Sequence, residues 1–431
     1  MQSNGLATVK THCRFKFTNT FVNIALPDRL LGAMTGALAG FALTAGLAQA
    51  QDMFPAGVEA KASGMESAIS TRSAPAALYN PANLGLERAQ KKAYLEAGLI
   101  RARMAYEHPQ FDQVFVEVKS PVATAGITGS VFDPRLRAAL TIFPAKSGGL
   151  IIDGIPQPIG DATHSLNVEN NDQTIKTALA ASWSVAPGIN IGSGIIHSME
   201  TRSISAQVVG SATAILDQKM SNDFTRGIAG IRADSKLGSV AAALTSSVRK
   251  TYLGERSMAG GIPRSKPEAV SFEPAVLAAG WSVPVGEFRT EFSMNHRMWG
   301  AASGIMREGL ASESTGADIH DITETGIRLS WAAIPTLTIS GSVANLPSPW
   351  GEGGTLNSGG TTVMGPGFGL SNGVDRHAIG LLAHSSDTRF GNFDVGMMNV
   401  WGSRTVSAAG ANPGHYQTDI MTITAGSTVI F

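Results

Sequence analysis

The last stretch of the chain, residues 416–431, alternates between apolar and polar side chains, with Ile420 and Ile430 as exceptions. The apolar positions are Met421, Ile423, Ala425, Val429 and Phe431, and the opposite positions are Thr418, Thr422, Thr424, Gly426 and Thr428. Because successive side chains of a strand point to opposite faces, this pattern predicts a strand with one apolar face. An apolar strand that runs to the final residue favours the closing strand of a transmembrane β-barrel, whose outer face meets lipid.

The composition argues against several other classes of protein. Only 15% of the 431 residues are charged, and the formal net charge is zero. The sequence contains no basic patch with interleaved aromatic residues, so nucleic acid is not an expected partner. The single cysteine is Cys13, so no disulfide framework is expected.

Residues 1–50 have the pattern of a secretory signal peptide. A basic lead-in precedes an apolar run over residues 30–47, and Ala48-Gln49-Ala50 places small residues at the two positions that signal peptidase requires. We expect cleavage near Ala50. The alternative is a short transmembrane anchor, but the glycines in the run keep its hydrophobicity low.

Residues 51–91 are predicted to form an N-terminal hatch rather than strands. Pro and Gly interrupt the segment repeatedly, and helix-forming residues occupy positions 59–68 and 76–79. The segment has too few large apolar residues to form a core alone, so we expect it to lie inside another structure. Residues 92–431 are predicted to supply that structure as a transmembrane β-barrel.

Six compact turns separate alternating runs within the predicted barrel. They lie at Phe132-Asp133-Pro134, Ala186-Pro187-Gly188, Asp234-Ser235-Lys236, Pro284-Val285-Gly286, Ile334-Pro335-Thr336 and Ser386-Asp387-Thr388. Long polar or Gly-rich connections alternate with them, over residues 146–173, 209–224, 255–270, 307–321 and 347–374. Six hairpins plus one strand at each end predict an all-β antiparallel barrel of about fourteen strands, with short periplasmic turns and long extracellular loops. The alternative is a soluble β-sandwich, whose strands are usually shorter.

Individual strands repeat the alternation. Within residues 288–298 the even positions are mostly apolar and the odd positions are polar, and residues 175–185 and 325–333 also alternate, with their apolar residues at odd positions. The charged side chains of these strands therefore face the predicted lumen. We interpret them as a network that braces the hatch. They include Arg289, Glu291, Arg297 and Arg328.

Three segments resemble the FadL family of outer-membrane transporters for long-chain fatty acids and aromatic hydrocarbons. Residues 73–84 resemble the hatch segment of the family, whose Asn-Pro-Ala core corresponds to Asn80, Pro81 and Ala82. Residues 294–306, which include Trp299, resemble the outer end of a mid-barrel strand in the family. Residues 414–416 match the Gly-x-Tyr start of its final strand. The resemblance covers nearly all of the chain after residue 50.

The C-terminus also resembles the assembly signal of bacterial outer-membrane proteins. That signal is a polar residue, then Gly, then two apolar or aromatic residues, and it corresponds to Thr424, Gly426, Val429 and Phe431. This resemblance implies the bacterial outer membrane as location. It implies the barrel-assembly machinery and outer-membrane lipid as partners.

The FadL resemblance implies a plugged barrel with hydrophobic ligand sites and a gate at Asn80, Pro81 and Ala82. It also implies a sideways exit through a kink in the third strand. The predicted third strand, residues 136–143, has no internal Gly or Pro, and Pro144 lies at its outer end. The sequence therefore does not decide between exit through the wall and exit through the lumen.

Apolar residues in the predicted extracellular loops are candidates for ligand capture, because exposed apolar patches often mark binding surfaces. The alternative is that these loops pack on one another as a lid. The segment 212–219 is expected to form one or two helical turns. The candidates are Ile151, Ile152, Ile155, Val209, Ile215, Leu216, Met258 and Ile262.

The function expected from these observations is uptake of hydrophobic compounds, either fatty acids or hydrocarbons, through a hatch-gated channel. The sequence contains no Gly-x-Ser-x-Gly or His-Glu-x-x-His motif and no cysteine pair, so catalysis, a metal and a cofactor are not expected. The alternatives are an outer-membrane lipid hydrolase, a general porin and a structural barrel. A monomer is expected.

Overall fold

The computed structural model describes residues 15–17, 20–22, 55–86, 90–107, 114–159, 162–208, 214–258, 268–302, 320–349, 357–358, 361–362, 374–387, 391–406 and 414–431. The chain divides into two units, Met1–Gly46 and Leu47–Phe431. In the first unit, the short strands Phe15–Phe17 and Thr20–Val22 pair antiparallel. Cleavage near Ala50 stays a prediction.

The second unit contains a closed antiparallel barrel of fourteen strands. The strands are β1 (Lys92–Glu107), β2 (Val114–Val131), β3 (Asp133–Ile159), β4 (Ala162–Ala186), β5 (Ile189–Val208), β6 (Ala214–Ser235), β7 (Gly238–Thr245 and Val248–Met258), β8 (Glu268–Glu273 and Ala275–Val285), β9 (Phe288–Met298), β10 (Ile322–Ile334), β11 (Leu337–Leu346), β12 (Arg376–Asp387), β13 (Gly391–Val406) and β14 (Gly414–Ile430). Each strand pairs with its neighbours in the sequence, and β14 pairs with β1. Strands β7 and β8 are each interrupted once.

The terminal strand closes the barrel as predicted. Its register with β1 runs from His415 opposite Glu107 to Ile430 opposite Lys92. Val429 is 46% exposed on the outer face, whereas Thr424 is 2% exposed on the inner face. The backbone amide of Phe431 donates a hydrogen bond to the carbonyl of Lys91 at 3.1 Å.

The alternation predicted for the other strands is also confirmed. Phe288, Phe292 and Met294 are exposed on the outer face of β9, and Glu291 and Asn295 are buried on its inner face. All six predicted turns separate consecutive strands. The fold class is therefore the one that the period-two pattern predicts.

The predicted bounds of the extracellular loops are wrong in two places. Residues 146–173 belong to a long hairpin of β3 and β4, and only residues 160–161 within them lie outside the described part. Ile151, Ile152 and Ile155 therefore lie on β3. Ladder hydrogen bonds satisfy the backbone of this hairpin, and β-branched residues favour the extended conformation.

The helical turns predicted for residues 212–219 are wrong, because β6 begins at Ala214. Ile215 and Leu216 consequently lie on a strand rather than in a loop. Met258 is the last residue of β7. Val209 and Ile262 lie outside the described residues.

Deletion of Phe431 is expected to lower the yield of folded barrel several-fold. The change removes an apolar side chain from the lipid-facing side and the hydrogen bond to the Lys91 carbonyl, at the seam where β14 meets β1. The heat-modifiable shift of the folded barrel on a gel measures the yield. Phe132→Ala is the matched control, because Phe132 is fully exposed at a turn. An unchanged folded fraction after the Phe431 deletion would contradict the role of the terminal residue.

Candidate functional site

Residues 55–86, here called the hatch segment, pack against inward-facing residues of the barrel. The segment contains the short helices α1 (Val58–Ala62) and α2 (Ala76–Tyr79) and a 3₁₀ helix, Pro81–Leu86. Most of its residues are buried, including polar ones such as Lys61, Asn80 and Asn83. A segment with so little apolar material is buried only because the barrel surrounds it.

Glycines on the inner face of the barrel give the hatch segment its room. A Cβ added at Gly230 would lie 2.0 Å from Oδ1 of Asn80, and one at Gly192 would lie 2.5 Å from the amide nitrogen of Ala82. Contacts this short are not tolerated between non-bonded atoms. The backbone of β5 and β6 can therefore approach the hatch segment only where the strand carries glycine.

The structure brings Asn80, Pro81 and Ala82 together against β4, β5 and β6. The Asn80 side chain is 0% exposed. Its Nδ2 donates to the carbonyl of Ala68 at 2.9 Å, and its Oδ1 accepts from the amide of Ala82 at 3.1 Å. The hydroxyl of Ser182 on β4 donates to the carbonyl of Ala82 at 3.3 Å. Asn80 thus fixes the bend by bonds within the hatch segment, and Ala82 connects the bend to the wall.

A buried ion pair holds the other end of the hatch segment. Nζ of Lys61 lies 2.5 Å from Oε1 of Glu96 on β1, and the two side chains are 1% and 0% exposed. Oε2 of Glu96 accepts a hydrogen bond from the amide of Gly57 at 2.9 Å, and the Tyr94 hydroxyl accepts one from the amide of Val58 at 3.0 Å. The pattern analysis did not single out Glu96. Its inward position on a strand, where most neighbours are small or apolar, is the signal that marks it.

Two further arginines connect the barrel to the hatch segment. Arg297 on β9 lies 3.1 Å from the Glu66 carboxylate of the hatch segment and 2.8 Å from Glu324 on β10. Nη1 of Arg232 on β6 donates to the carbonyl of Ile69 at 2.7 Å. Arg297 belongs to the network predicted from the sequence, whereas Arg232 was not predicted. These contacts brace the hatch segment from several directions.

A cavity of about 200 Å³ lies between the hatch segment and the inner wall. Hatch residues Met65, Leu78 and Tyr79 line it, together with Phe143 of β3 and Trp299 beyond β9. Charged side chains also line it, namely Lys176, Arg226, Arg297, Arg376, Glu66, Glu273 and Glu324. Since an apolar cavity of about 150 Å³ admits benzene, this space is large enough for a molecule with one aromatic ring.

Backbone pairing between β2 and β3 ends beside this cavity. Their register runs from the turn up to Ala125 opposite Ile142, and no later pair joins the two strands over the described residues 114–124 and 143–159. Strand β3 continues past this point with a bulge between Pro144 and Lys146, paired only with β4. The predicted end of the third strand at Phe143 is therefore wrong. Pro144 lies inside the strand, where a proline typically marks a bulge or an edge.

Within the described ranges, no group of three or more His, Cys, Asp or Glu residues is arranged to hold a metal ion. In the same ranges, no helix is long and apolar enough to cross a membrane.

Comparison with known proteins places the fold. No protein-family model and no curated protein sequence matches the chain. The crystal structure of a Pseudomonas aeruginosa FadL homologue has 12% sequence identity and a TM-score of 0.65, and the match covers 89% of this chain and 99% of that one. The Pseudomonas putida toluene transporter TodX matches at 10% identity and a TM-score of 0.63, over 88% and 99% of the two chains. The Ralstonia pickettii toluene transporter TbuX matches at 12% identity and a TM-score of 0.58, over 88% and 99%. At this level of identity, the likeness shows a shared fold.

Asn80→Ala is expected to loosen the hatch segment while the barrel stays folded. The change leaves the carbonyl of Ala68 with one donor fewer and the amide of Ala82 without its acceptor, which costs about 1–3 kcal/mol for a buried group. Limited proteolysis of residues 55–86 in the folded barrel measures the loosening. Asn399→Ala on the outer face of β13 is the control and should leave the cleavage rate unchanged. Equal cleavage of Asn80→Ala and the parent protein would contradict this role of Asn80.

Proposed function

We propose that this protein, which shares its fold with the FadL homologue and the toluene transporters, is a bacterial outer-membrane channel for uptake of hydrophobic compounds. The observation that carries the proposal is the cavity between the hatch segment and the wall. Its partly apolar lining fits an apolar molecule, and it adjoins the place where the β2–β3 ladder stops. A general porin needs an open polar passage, which a braced hatch segment obstructs.

The proposed route enters from the extracellular end of the barrel. Ligand is captured there by apolar residues of the outer strand extensions and of the connections between them. Those proposed to contact it are Ile151, Ile152, Ile155, Val209, Ile215, Leu216, Met258 and Ile262. The ligand then reaches the cavity above the hatch segment. The gate formed by Asn80, Pro81 and Ala82 shifts, and the ligand is released.

We propose that release occurs sideways between β2 and β3. The wall between these strands lacks ladder pairs above Ile142, so parting them there breaks no β2–β3 ladder bond. Phe143 and Ala145 of β3 line the cavity, which places the unpaired stretch next to the ligand. A lateral exit delivers an apolar molecule to lipid without passing it through water. This favours exit through the wall over exit through the lumen.

The proposed substrates are small apolar molecules, of which a molecule with one aromatic ring fits the cavity volume without any movement of the hatch segment. A long-chain fatty acid exceeds that volume and would need the hatch segment to move. The proposed partners are outer-membrane lipid and the barrel-assembly machinery, and the proposed state is a monomer. The C-terminal residues Thr424, Gly426, Val429 and Phe431 are proposed to carry the assembly signal.

Quenching of Trp299 fluorescence tests the proposed binding site. Trp299 lines the cavity, whereas Trp183, Trp281, Trp331 and Trp401 are exposed on the outer surface. A brominated benzene added to the purified barrel is expected to give a saturable quench that toluene competes away and that Trp299→Phe removes. A quench that is unchanged in Trp299→Phe would show that the compound binds the outer surface, and the cavity would lose its proposed role.

A further inference from the structure

A second stretch of the wall, between β6 and β7, also lacks ladder pairs. Below it, β6 and β7 pair from Ser235 opposite Gly238 up to Ile228 opposite Thr245. Above it, they pair again from Ser221 opposite Leu253. Within the described stretch 214–258, no ladder pair joins residues 222–227 to residues 246–252. We call residues 222–227 and residues 246–252 the β6–β7 seam.

The neighbouring strand is interrupted at the same height. Thr245 pairs with Val276 and Val248 pairs with Glu273, so the break in β7 at residues 246–247 lies beside the break in β8 at Pro274. Proline has no amide hydrogen to donate to a ladder. Two adjacent strands are therefore weakened together, next to residues 222–227 of β6, which have no ladder pair on β7.

At the lower end of the seam one backbone bond remains, from the amide of Ser246 to the carbonyl of Gly227 at 2.9 Å, and the side chain of Arg226 adds further bonds. Nε of Arg226 donates to the carbonyl of Ser246 at 2.7 Å, and Nη2 donates to the carbonyl of Pro274 at 2.6 Å. Nη1 lies 3.1 Å from the carboxylate of Glu273. Arg226 on β6 thus holds β7 and β8 by bonds that a side-chain rotation can release, whereas a ladder bond is released only by moving the backbone.

A cluster of charged and aromatic side chains covers the lumen side of the seam. Nζ of Lys250 lies 3.2 Å from Oε1 of Glu200 on β5 and 3.1 Å from Oε2 of Glu273, and it sits 5.2 Å from the ring centroid of Phe224. The Tyr252 hydroxyl bonds to the Glu200 carboxylate. These contacts join the two sides of the seam through side chains, so the seam is closed in this structure without a ladder.

The seam has direct access to the cavity described above. Arg226, Thr245, Glu273 and Pro274 all line that cavity. On the outer side, a Cβ added at Gly227 would have only the Ser246 hydroxyl within 4.0 Å. Few atoms therefore cover the outer side of the seam at Gly227, and the side chains that close the seam are on the lumen side.

We propose that the β6–β7 seam is a second lateral passage, through which uncharged apolar molecules of monoaromatic size pass between the cavity and the membrane when Arg226 releases β7 and β8. The inference rests on the proposed transport function. In lipid, a strand edge without backbone partners is tolerated only where other protein groups satisfy it. Arg226 satisfies the carbonyls of Ser246 and Pro274, and an arriving ligand displaces its side chain at the point where the cavity meets the wall.

A reversible cross-link across the seam tests the proposal. The double variant Gly227→Cys/Ser246→Cys places two thiols across the lower end of the seam, and the single native cysteine is Cys13. The control pair is Ala233→Cys/Val240→Cys, which joins the same strands where they are already paired. Uptake of labelled toluene by cells that produce each protein is measured after oxidation and again after reduction. A gel-mobility shift verifies each cross-link.

Oxidation is expected to lower uptake partly in the seam pair alone, because the proposed exit between β2 and β3 stays available, and reduction is expected to restore it. Arg226→Met, which keeps an unbranched apolar stem and removes the hydrogen-bond donors, is expected to raise uptake without any cross-link. Normal uptake in the oxidised seam pair and in Arg226→Met would overturn the proposal and leave the transport function standing. Uptake by the parent protein no faster than by cells without it would remove the transport function, and the seam proposal with it.

Discussion

Removal of residues 57–84 is expected to convert a nearly silent protein into one with a large, steady conductance in planar bilayers. A fourteen-strand barrel is too wide for its inward side chains alone to fill. The hatch segment occupies that space, and inward glycines such as Gly192 and Gly230 leave no side chain to replace it. Deletion therefore leaves a water-filled passage lined by polar side chains.

Single-channel recording of the purified, heat-modifiable barrel measures this change. The intact protein is the reference. A truncated barrel that folds and conducts no more than the intact protein would contradict the plugging role of the hatch segment. The gating mechanism would be lost with it.

Glu96→Gln is expected to release the hatch segment without deleting it. The change leaves Lys61 buried with an amide in place of its carboxylate partner, and breaking a buried ion pair in this way costs about 3–5 kcal/mol. Lys61 also lies 5.4 Å from the ring centroid of Phe143, at the end of the β2–β3 ladder. We expect brief, repeated channel openings and faster proteolysis of residues 55–86.

The matched control for this variant is Asp133→Asn, which breaks an ion pair with Arg135 at a turn. The side chains of that pair are 42% and 64% exposed, so solvent screens the pair and it contributes little to stability. It should leave conductance and proteolysis unchanged. If Glu96→Gln and Asp133→Asn behave alike, the buried pair does not hold the hatch segment.

The strands and turns of the barrel could be predicted because their signals are local. Alternation in β9 requires only that lipid lies on one side and a polar lumen on the other, and turns such as Ala186-Pro187-Gly188 carry residues that suit tight bends. The extent of β3, β4 and β6 beyond their predicted ends was missed. Residues such as Gly148 and Gly149 suggest a loop, whereas pairing with a neighbouring strand keeps them extended.

The contacts of the candidate site could not be predicted in the same way, because they join distant parts of the chain. Lys61 and Glu96 are 35 residues apart, and Arg232 and Ile69 are 163 residues apart. The alternation along each strand predicts that Glu96 and Arg232 face the lumen, but it does not identify their partners. The adjacent breaks in β7 and β8 could not be predicted for the same reason. They lie side by side only because of the register between the two strands.

Gly426 is a position where glycine is needed for a reason that the sequence pattern does not show. The sequence assigns it to the C-terminal assembly signal, and that assignment stays a prediction. In the structure, a Cβ at this position would lie 2.8 Å from Cγ2 of Val58 and 3.2 Å from the hydroxyl of Tyr94. Close approach of the hatch segment therefore also requires glycine here. A pattern read along one strand does not reveal this contact.

Initial uptake of labelled toluene tests the central claim most directly. Cells that lack other hydrocarbon channels and produce the full chain are compared with cells in which a disulfide between Asn80→Cys and Gly230→Cys ties the hatch segment to β6, where a Cβ added at Gly230 would lie 2.9 Å from Cγ of Asn80. We expect the parent protein to raise uptake several-fold over cells without it. We expect oxidation to abolish the gain in the tied variant and reduction to restore it. Uptake that is the same with and without the protein would contradict the account.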